Sequence, residues 1–308
     1  MTVDTQVGAE FVAGGGVVRV VASEDAGASA LELHVLGRRS GMPAPGEPSS
    51  GYLVRTDATT LLLDCGPGVA GELRGALRYR AIDGVFISHL HLDHCYDLIP
   101  VAKTLLAPHM SYPRDGEEGQ LVGDVSRVPC HLPPGGVAAM RTAQALFPVR
   151  SAPPLDQAFD LVFDATETAP GDRYTIGDCT VSAVGLRHAV PVCGFRIESS
   201  AGSIAYTGDT GWTGALLDLA TGVDLLLCEA TLREPDTGTH GHLAASEAGR
   251  LAALAGVGAL VLTHFLSSDD EHLATLVADA ARAFEGPILL ATPRTAITFH
   301  RTDRTPQE

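Results

Sequence analysis

From Leu31 onward the chain alternates short apolar runs with turn-forming residues. LELHVLG (31–37), GYLVRT (51–56), TLLLDCG (60–66) and DGVFISH (83–89) read as strands, the middle two as a hairpin around Asp57. GVAGELRGAL (68–77) reads as a short helix between them. A second series follows: CTVSAVGLRH (179–188), CGFRIES (193–199), SIAYTGD (203–209), VDLLLCEA (223–230), ALVLTH (259–264) and PILLAT (287–292). Two helical stretches interrupt it, AASEAGRLAALAG (244–256) and DDEHLATLVADAARAF (269–284). In the latter, Leu273, Leu276, Val277, Ala280 and Phe284 share one face, with Ser267 and Ser268 expected to start the helix. Strand clusters separated by amphipathic helices predict an α/β (α+β) chain with helices covering the outer faces of its sheets.

Two stretches lack that rhythm. Residues 1–30 read as an N-terminal extension, although VVRVVA (17–22) has strand character. Residues 107–170 carry prolines at 108, 113, 129, 133, 134, 148, 153, 154 and 170 and read as a lid-like insertion. The expected organisation is a single domain over 31–300 with a tail at 301–308.

Composition narrows the function classes. Of 308 residues, 37 are acidic and 21 basic, a formal charge of −16, and no basic stripe appears. That balance argues against a large nucleic-acid partner, which needs Lys and Arg against phosphates. It leaves room for a small anionic substrate held at a metal. The six cysteines form no CxxC pair, the polar start resembles no secretory leader, and no apolar run suffices to span a membrane. The expectation is a cytoplasmic protein with reduced cysteines.

The densest chemistry is HLHLDH (89–94), placed directly after an apolar run. His89 and His91 are two residues apart and share a direction if strand geometry persists. Asp93 and His94 follow in the turn. Imidazole and carboxylate are good donors for zinc, manganese or iron. Four such donors in six positions exceed what one ion takes from one segment, so two ions sharing a cleft are expected. The remaining ligands should lie at strand ends, where His188, Asp209 and His264 stand. Taken singly, either histidine could be a satisfied core residue and Asp209 a cap before Trp212.

HLHLDH, then GLRHAV, YTGDTG and VLTHF, together resemble the metallo-β-lactamase-fold hydrolases. LGRRSGMPAP, SSGYLV, LLLDCGPG, CEAT and HLAASEAG resemble the RNase Z-like branch, which includes tRNA 3′-end endonucleases and cyclic-nucleotide phosphodiesterases. The resemblance implies a four-layer αββα metallo-β-lactamase sandwich and two divalent metal ions, usually zinc. His89, His91 and His188 would hold one ion, Asp93, His94 and His264 the other, and Asp209 would bridge them. A hydroxide shared by the ions would be the nucleophile, with Asp93 also orienting it or taking its proton. His242 would assist the leaving group and Glu229 would orient His242; His240 is the competing choice, favoured less by the motif. Asp64 is expected just outside the ligand ring, taking a ligand histidine's free N–H. Ser49 and Ser50 are weaker candidates for phosphate contacts. Cys65 and Cys95 are not needed as ligands. His34, His272 and His300 read as packing or surface residues, and His109 and His131 are open to a substrate contact. A homodimer is expected by analogy.

For substrate, the leading expectation is a phosphodiesterase acting on a small nucleotide-type phosphoester. The alternatives are a tRNA 3′-processing endonuclease, a thioester or lactone hydrolase of specialised metabolism, and a non-catalytic metal-binding module. In bacterial tRNA-processing enzymes of this branch a long basic arm lies between the third metal motif and the bridging aspartate. Here residues 189–208 leave room for one hairpin only. The seven ligand positions and the His242–Glu229 pair weigh against a non-catalytic module. The HLAASEAG histidine favours an alkoxide leaving group over a thiolate.

Overall fold

The structure, a computed structural model, describes residues 7–13, 16–22, 30–77, 81–112 and 118–301. In chain order the first strands are β1 (Glu10–Ala13), β2 (Gly16–Ala22), β3 (Leu31–Gly37), β4 (Gly51–Arg55), β5 (Thr60–Leu63) and β6 (Gly84–Phe86). Next come β7 (Met110–Ser111), β8 (Gln120–Leu121), β9 (Val128–Leu132) and β10 (Phe163–Glu167). The second half supplies β11 (Arg173–Ile176), β12 (Cys179–Gly185), β13 (Cys193–Glu198), β14 (Ser203–Tyr206), β15 (Leu225–Glu229), β16 (Ala259–Thr263), β17 (Ile288–Leu290) and β18 (Thr295–Arg301). The helices are α1 (Val69–Leu77), α2 (Leu92–Cys95), α3 (Leu98–Leu106), α4 (Gly136–Leu146), α5 (Ala158–Val162), α6 (Ala215–Ala220), α7 (Ala245–Ala255) and α8 (Asp270–Ala280).

Two large sheets result. One runs β1-β2-β18-β3-β4-β5-β6-β9-β10 and the other β11-β12-β13-β14-β15-β16-β17. Period-two alternation assigns each strand's two faces. Tyr52 and Val54 of β4, Leu61 and Leu63 of β5, and Leu225 and Leu227 of β15 enter the core between the sheets. Leu53 and Leu62 face out under α1, α3, α4 and α5, while Leu226 and Cys228 face out under α6, α7 and α8. Helix, sheet, sheet and helix therefore stack as the expected αββα sandwich.

Helix ends follow local chemistry. Asp269, one residue past the expected serines, caps α8 by accepting from the amides of Glu271 and His272. The α7 helix ends at Gly256, whose φ of 62° suits a residue without Cβ.

Two expectations need correction. Residues 10–13 and 16–22 are strands, not an appendage: β2 pairs with β18 along its whole length, and Val18 and Val20 lie in the core. Residues 128–167 form a β9–α4–α5–β10 crossover within the first sheet, with Cys130, Leu132, Phe159 and Phe163 buried, so they are no lid. Pro133, Pro134, Pro148, Pro153 and Pro154 fall at element ends and mask the periodicity. Among the described residues, no helix is long and apolar enough to cross a membrane.

Candidate metal centre

The β5, β6, β12, β14, β15 and β16 strands finish at one edge of the sandwich. Each is followed there, or ended, by a chemistry-bearing residue: Asp64, His89, His188, Asp209, Glu229 and His264. The C-terminal edges of parallel strands gather such loops because the backbone groups there are freed from the ladder. His264 itself has φ 61° and Asp64 φ 56°, a left-handed conformation that turns the chain off the strand.

The seven predicted ligands converge into two groups sharing Asp209. In the first, His89, His91, His188 and Asp209 offer donor atoms all within 4.8 Å of one another. His188 Nε2 lies 3.1 Å from His91 Nδ1, and His89 Nε2 lies 3.6 Å from Asp209 Oδ2. The second holds Asp93, His94, His264 and Asp209. There His264 Nε2 lies 3.3 Å from both His94 Nε2 and Asp93 Oδ2, and His94 Nε2 lies 3.3 Å from Asp209 Oδ1. The two Asp209 oxygens thus face different groups. His89 Nε2 and Asp209 Oδ1 are buried without a hydrogen-bond partner. Converging imidazole lone pairs and an orphaned carboxylate oxygen are unfavourable unless a cation lies between them. The donor set fits divalent ions of zinc type.

What surrounds the donors fixes which nitrogen each presents. His94 Nδ1 donates to Asp64 Oδ2 at 2.7 Å, the contact expected of Asp64. The same carboxylate accepts from the Ser88 amide, the Ser88 hydroxyl and Tyr206 OH. Ser88 Oγ lies 3.0 Å from His89 Nδ1, and the Gly241 carbonyl 3.0 Å from His188 Nδ1. Thr231 Oγ1 lies 2.8 Å from His264 Nδ1. In all four histidines Nε2 is left for a cation. Ser88, Thr231, Tyr206 and the Gly241 carbonyl escaped the sequence reading. Thr231, in CEAT, and Tyr206, in YTGDTG, nonetheless lay within quoted motifs. Gly41 also contributes, its amide donating to Asp93 Oδ2 at 2.6 Å.

Electrostatics follow from burial and neighbours. Burial holds His89 well below the ordinary histidine value, helped by His94. Burial works to raise Asp93, but the His264 hydrogen bond and the His94 charge outweigh it and hold the carboxyl well down. Burial works to lower His242, but its hydrogen bond and charge interaction with Glu229 outweigh that and raise it.

His242 Nδ1 sits 3.1 Å and 3.3 Å from the two Glu229 oxygens. Its ring is stacked on His264 at 5.7 Å and edge-on to His188 at 5.1 Å. His240 is exposed and makes none of these contacts, so the geometry favours His242. Glu229 is fixed by the Thr210 amide and the Thr231 hydroxyl, each at 2.5 Å.

Ser49 and Ser50 are placed differently from expectation. Both are fully buried, and the Ser49 hydroxyl donates to the Gly41 carbonyl at 2.7 Å. The Ser49 hydroxyl braces the 38–50 loop, while the Ser50 hydroxyl is buried without a hydrogen-bond partner and the Ser50 amide donates to the Asp93 carbonyl. His131 is packed between Phe86 and Tyr174, and His109 lies in a turn beside the small β7–β8 pair, so neither joins the donor groups. His34 is buried against Glu32 at 2.8 Å. All six cysteines are buried and free of disulfides, with Cys65 and Cys95 outside both donor groups.

Comparison with known proteins agrees with this geometry. The Beta-lactamase superfamily domain matches residues 59–265, which contain all seven candidate metal ligands. The chain belongs to that superfamily. An uncharacterized protein of Mycobacterium tuberculosis, Rv1339, is 33% identical over 264 residues, covering 84% of this chain and 88% of its own. Ribonuclease Z of Bacteroides fragilis is 26% identical over 314 residues, covering 84% and 96%. The crystal structure of the metallo-β-lactamase-fold protein YhfI from Bacillus subtilis superposes with TM-score 0.70 at 23% identity, covering 87% of this chain and 99% of that one. The superfamily member described here is thus a metallo-hydrolase, and its fold implies divalent metal ions.

Proposed function

We propose that this metallo-hydrolase cleaves phosphodiesters of small nucleotide type, using two ions of zinc type. The observation that carries the reading is the His242–Glu229 pair standing beside both donor groups. A phosphodiester leaves as an alkoxide, which needs a proton, whereas a thiolate does not. With Nδ1 committed to Glu229, His242 keeps Nε2 for that proton. Glu229 favours the charged imidazolium and thereby keeps the acid supplied near neutrality. When bound, two divalent ions would supply a water of lowered pKa and positive charge for the phosphoryl oxygens. His89, His91 and His188 would hold one ion, Asp93, His94 and His264 the other, with Asp209 between them. Asp93, fixed by the Gly41 amide, would leave its second oxygen to orient the attacking water.

A ribonuclease Z is by name a phosphodiester-cleaving enzyme, which supports the bond type. A tRNA-sized substrate is disfavoured by this chain. Residues 193–206 form only the β13–β14 hairpin, paired within the sheet, and the chain carries a charge of −16. A small anionic substrate suits both facts.

The test is a substrate panel on metal-reconstituted protein: bis(p-nitrophenyl) phosphate, cyclic nucleotides, a pre-tRNA and acyl thioesters. Turnover of the phosphodiesters is expected. Turnover of thioesters alone would overturn the reading. H242A should slow esters with poor leaving groups far more than p-nitrophenyl esters; equal losses would remove His242 from the acid role.

A further inference from the structure

The loop that leads into His242 is tied to the metal edge from one place. Its base closes where the Leu232 amide donates to the Leu243 carbonyl and Leu232 bridges Ala244. Between them the chain is mostly exposed, with Asp236 and Gly238 half-buried and Gly241 buried. Arg187, one residue before His188, reaches across to it. Its Nη1 donates to the Gly238 carbonyl at 2.8 Å and its Nη2 to the Asp236 carbonyl at 3.4 Å. His188 Nδ1 donates to the Gly241 carbonyl at 3.0 Å. Among the described residues, every hydrogen bond from 233–241 to the rest of the chain comes from Arg187 or His188.

The seat of Arg187 is shaped for it. Its Nε donates to the Trp212 carbonyl at 3.3 Å, its amide donates to Thr210 Oγ1 at 3.2 Å, and its carbonyl accepts from the Gly211 amide at 2.9 Å. The residue is thereby fixed against the turn that carries Asp209. Its guanidinium lies over Gly211, where a Cβ would overlap Nη2. Gly241 comes as close from the loop side: its φ is 68°, and a Cβ there would meet the Arg187 carbonyl at 2.5 Å. A guanidinium is a planar fork of five donors, so it can span carbonyls of separate segments, which a compact ammonium cannot. His242 follows Gly241 directly, and its Nδ1 sits 3.1 Å from Glu229 with its ring beside His188 and His264. Whatever holds Gly241 down therefore also sets His242.

We propose that Arg187 is a positioning residue for proton delivery: it latches residues 233–241 onto the end of β12 and so holds His242 against Glu229. The proton-delivery half rests on the phosphodiester reading; the latch itself does not.

Four variants test it. R187M keeps the stem and removes every donor, and R187K keeps the charge without the fork. G211A pushes the guanidinium from its seat at a position whose φ suits alanine. R196M is the control, removing an arginine that also donates to backbone carbonyls, those of Leu219 and Thr221, outside both donor groups. The first measurement is backbone amide relaxation by NMR on the metal-free protein. Order parameters over 236–241 are expected near the rigid value of about 0.85 in wild type and R196M, below about 0.6 in R187M and G211A, and between in R187K. Equal values in wild type, R187M and G211A overturn the latch. The second is hydrolysis of the p-nitrophenyl and phenyl esters of thymidine 5′-phosphate by the metal-loaded protein. A positioned acid contributes roughly 10²–10⁴-fold, so R187M should lose at least about tenfold more kcat on the phenyl ester than on the p-nitrophenyl ester, with partial recovery in R187K. Adding R187M to H242A should widen that gap no further, because both act through one group. Equal losses on the two esters, or full additivity with H242A, overturn the positioning role even if the loop has loosened. Wild-type protein that cleaves neither ester defeats the phosphodiester reading instead, and relaxation still decides the latch. If R187M does not fold, G211A and R187K carry both measurements.

Discussion

Thr231→Val is the sharpest probe of how the site is held. The Thr231 hydroxyl donates to Glu229 Oε2 at 2.5 Å and receives His264 Nδ1 at 2.8 Å, while its residue is 3% exposed. Valine keeps the shape and removes both contacts. The His264 N–H is then left facing only Asp209 Oδ1 at 3.4 Å, outside good hydrogen-bond geometry, at a cost of about 1–3 kcal/mol. If the ring relaxes to recover that cost, it must turn Nε2 away from Asp93 and His94. Either way, affinity at the Asp93–His94–His264 position should fall by about five- to a hundredfold, since 1.4 kcal/mol is a factor of ten. The His89–His91–His188 position, whose nitrogens are fixed by Ser88 and Gly241, should change little. The assay is cobalt substitution with a chelator titration, which separates the two ions by their visible spectra. Thr231→Ser should restore the second ion. Wild-type affinity for both ions in T231V would refute the role given to the hydroxyl.

Three further outcomes follow from the structure. Asp64→Asn replaces a carboxylate oxygen at a junction of four donors, so a donor must face a donor; metal retention after dialysis should fall for both positions, and unaltered retention would contradict the account. Burial holds His131 at about 4 despite Asp164 and Asp172, so it stays neutral in the fold while the unfolded chain takes up a proton below 6.5. Stability is therefore fully present above pH 6.5 and is lost as pH falls toward 4. The full linkage would be roughly 3 kcal/mol and partial solvent screening leaves about 1–2; H131F should flatten that limb in urea titrations relative to wild type, and parallel slopes would count against it. Val18→Ala, at a fully buried position of β2, should cost about 2 kcal/mol by urea unfolding, whereas a cost near zero would return residues 16–22 to the status of an appendage.

The convergence of the candidate donors was legible because they stand after apolar runs and the fold brings strand ends to one edge. HLHLDH and the downstream His188, Asp209 and His264 are local signals of that kind. The residues that orient them were not. Ser88, Thr231 and Tyr206 are ordinary strand or strand-end residues whose roles arise from partners as distant in sequence as Asp64 is from Tyr206. Ser49 and Ser50 misled for the complementary reason: a polar pair after a Pro-rich loop looks solvent-facing, yet the loop folds back and buries both. Prolines at element ends hid the β9–α4–α5–β10 crossover, whose strands have few apolar residues at the sheet's edge. The β1–β2 strands were hidden because β2 finds its partner at the opposite end of the sequence.

That last pairing constrains how the chain reaches its native state. Residues 295–301 insert between β2 and β3, two strands made more than two hundred residues before them. Until they arrive, both early strands present bare edges with no neighbour to take their amides and carbonyls. Closing so wide a sequence gap carries a large entropic toll and makes assembly slow. Such open edges are also where chains stick to one another, so the chain should depend on chaperone protection until β18 slots home.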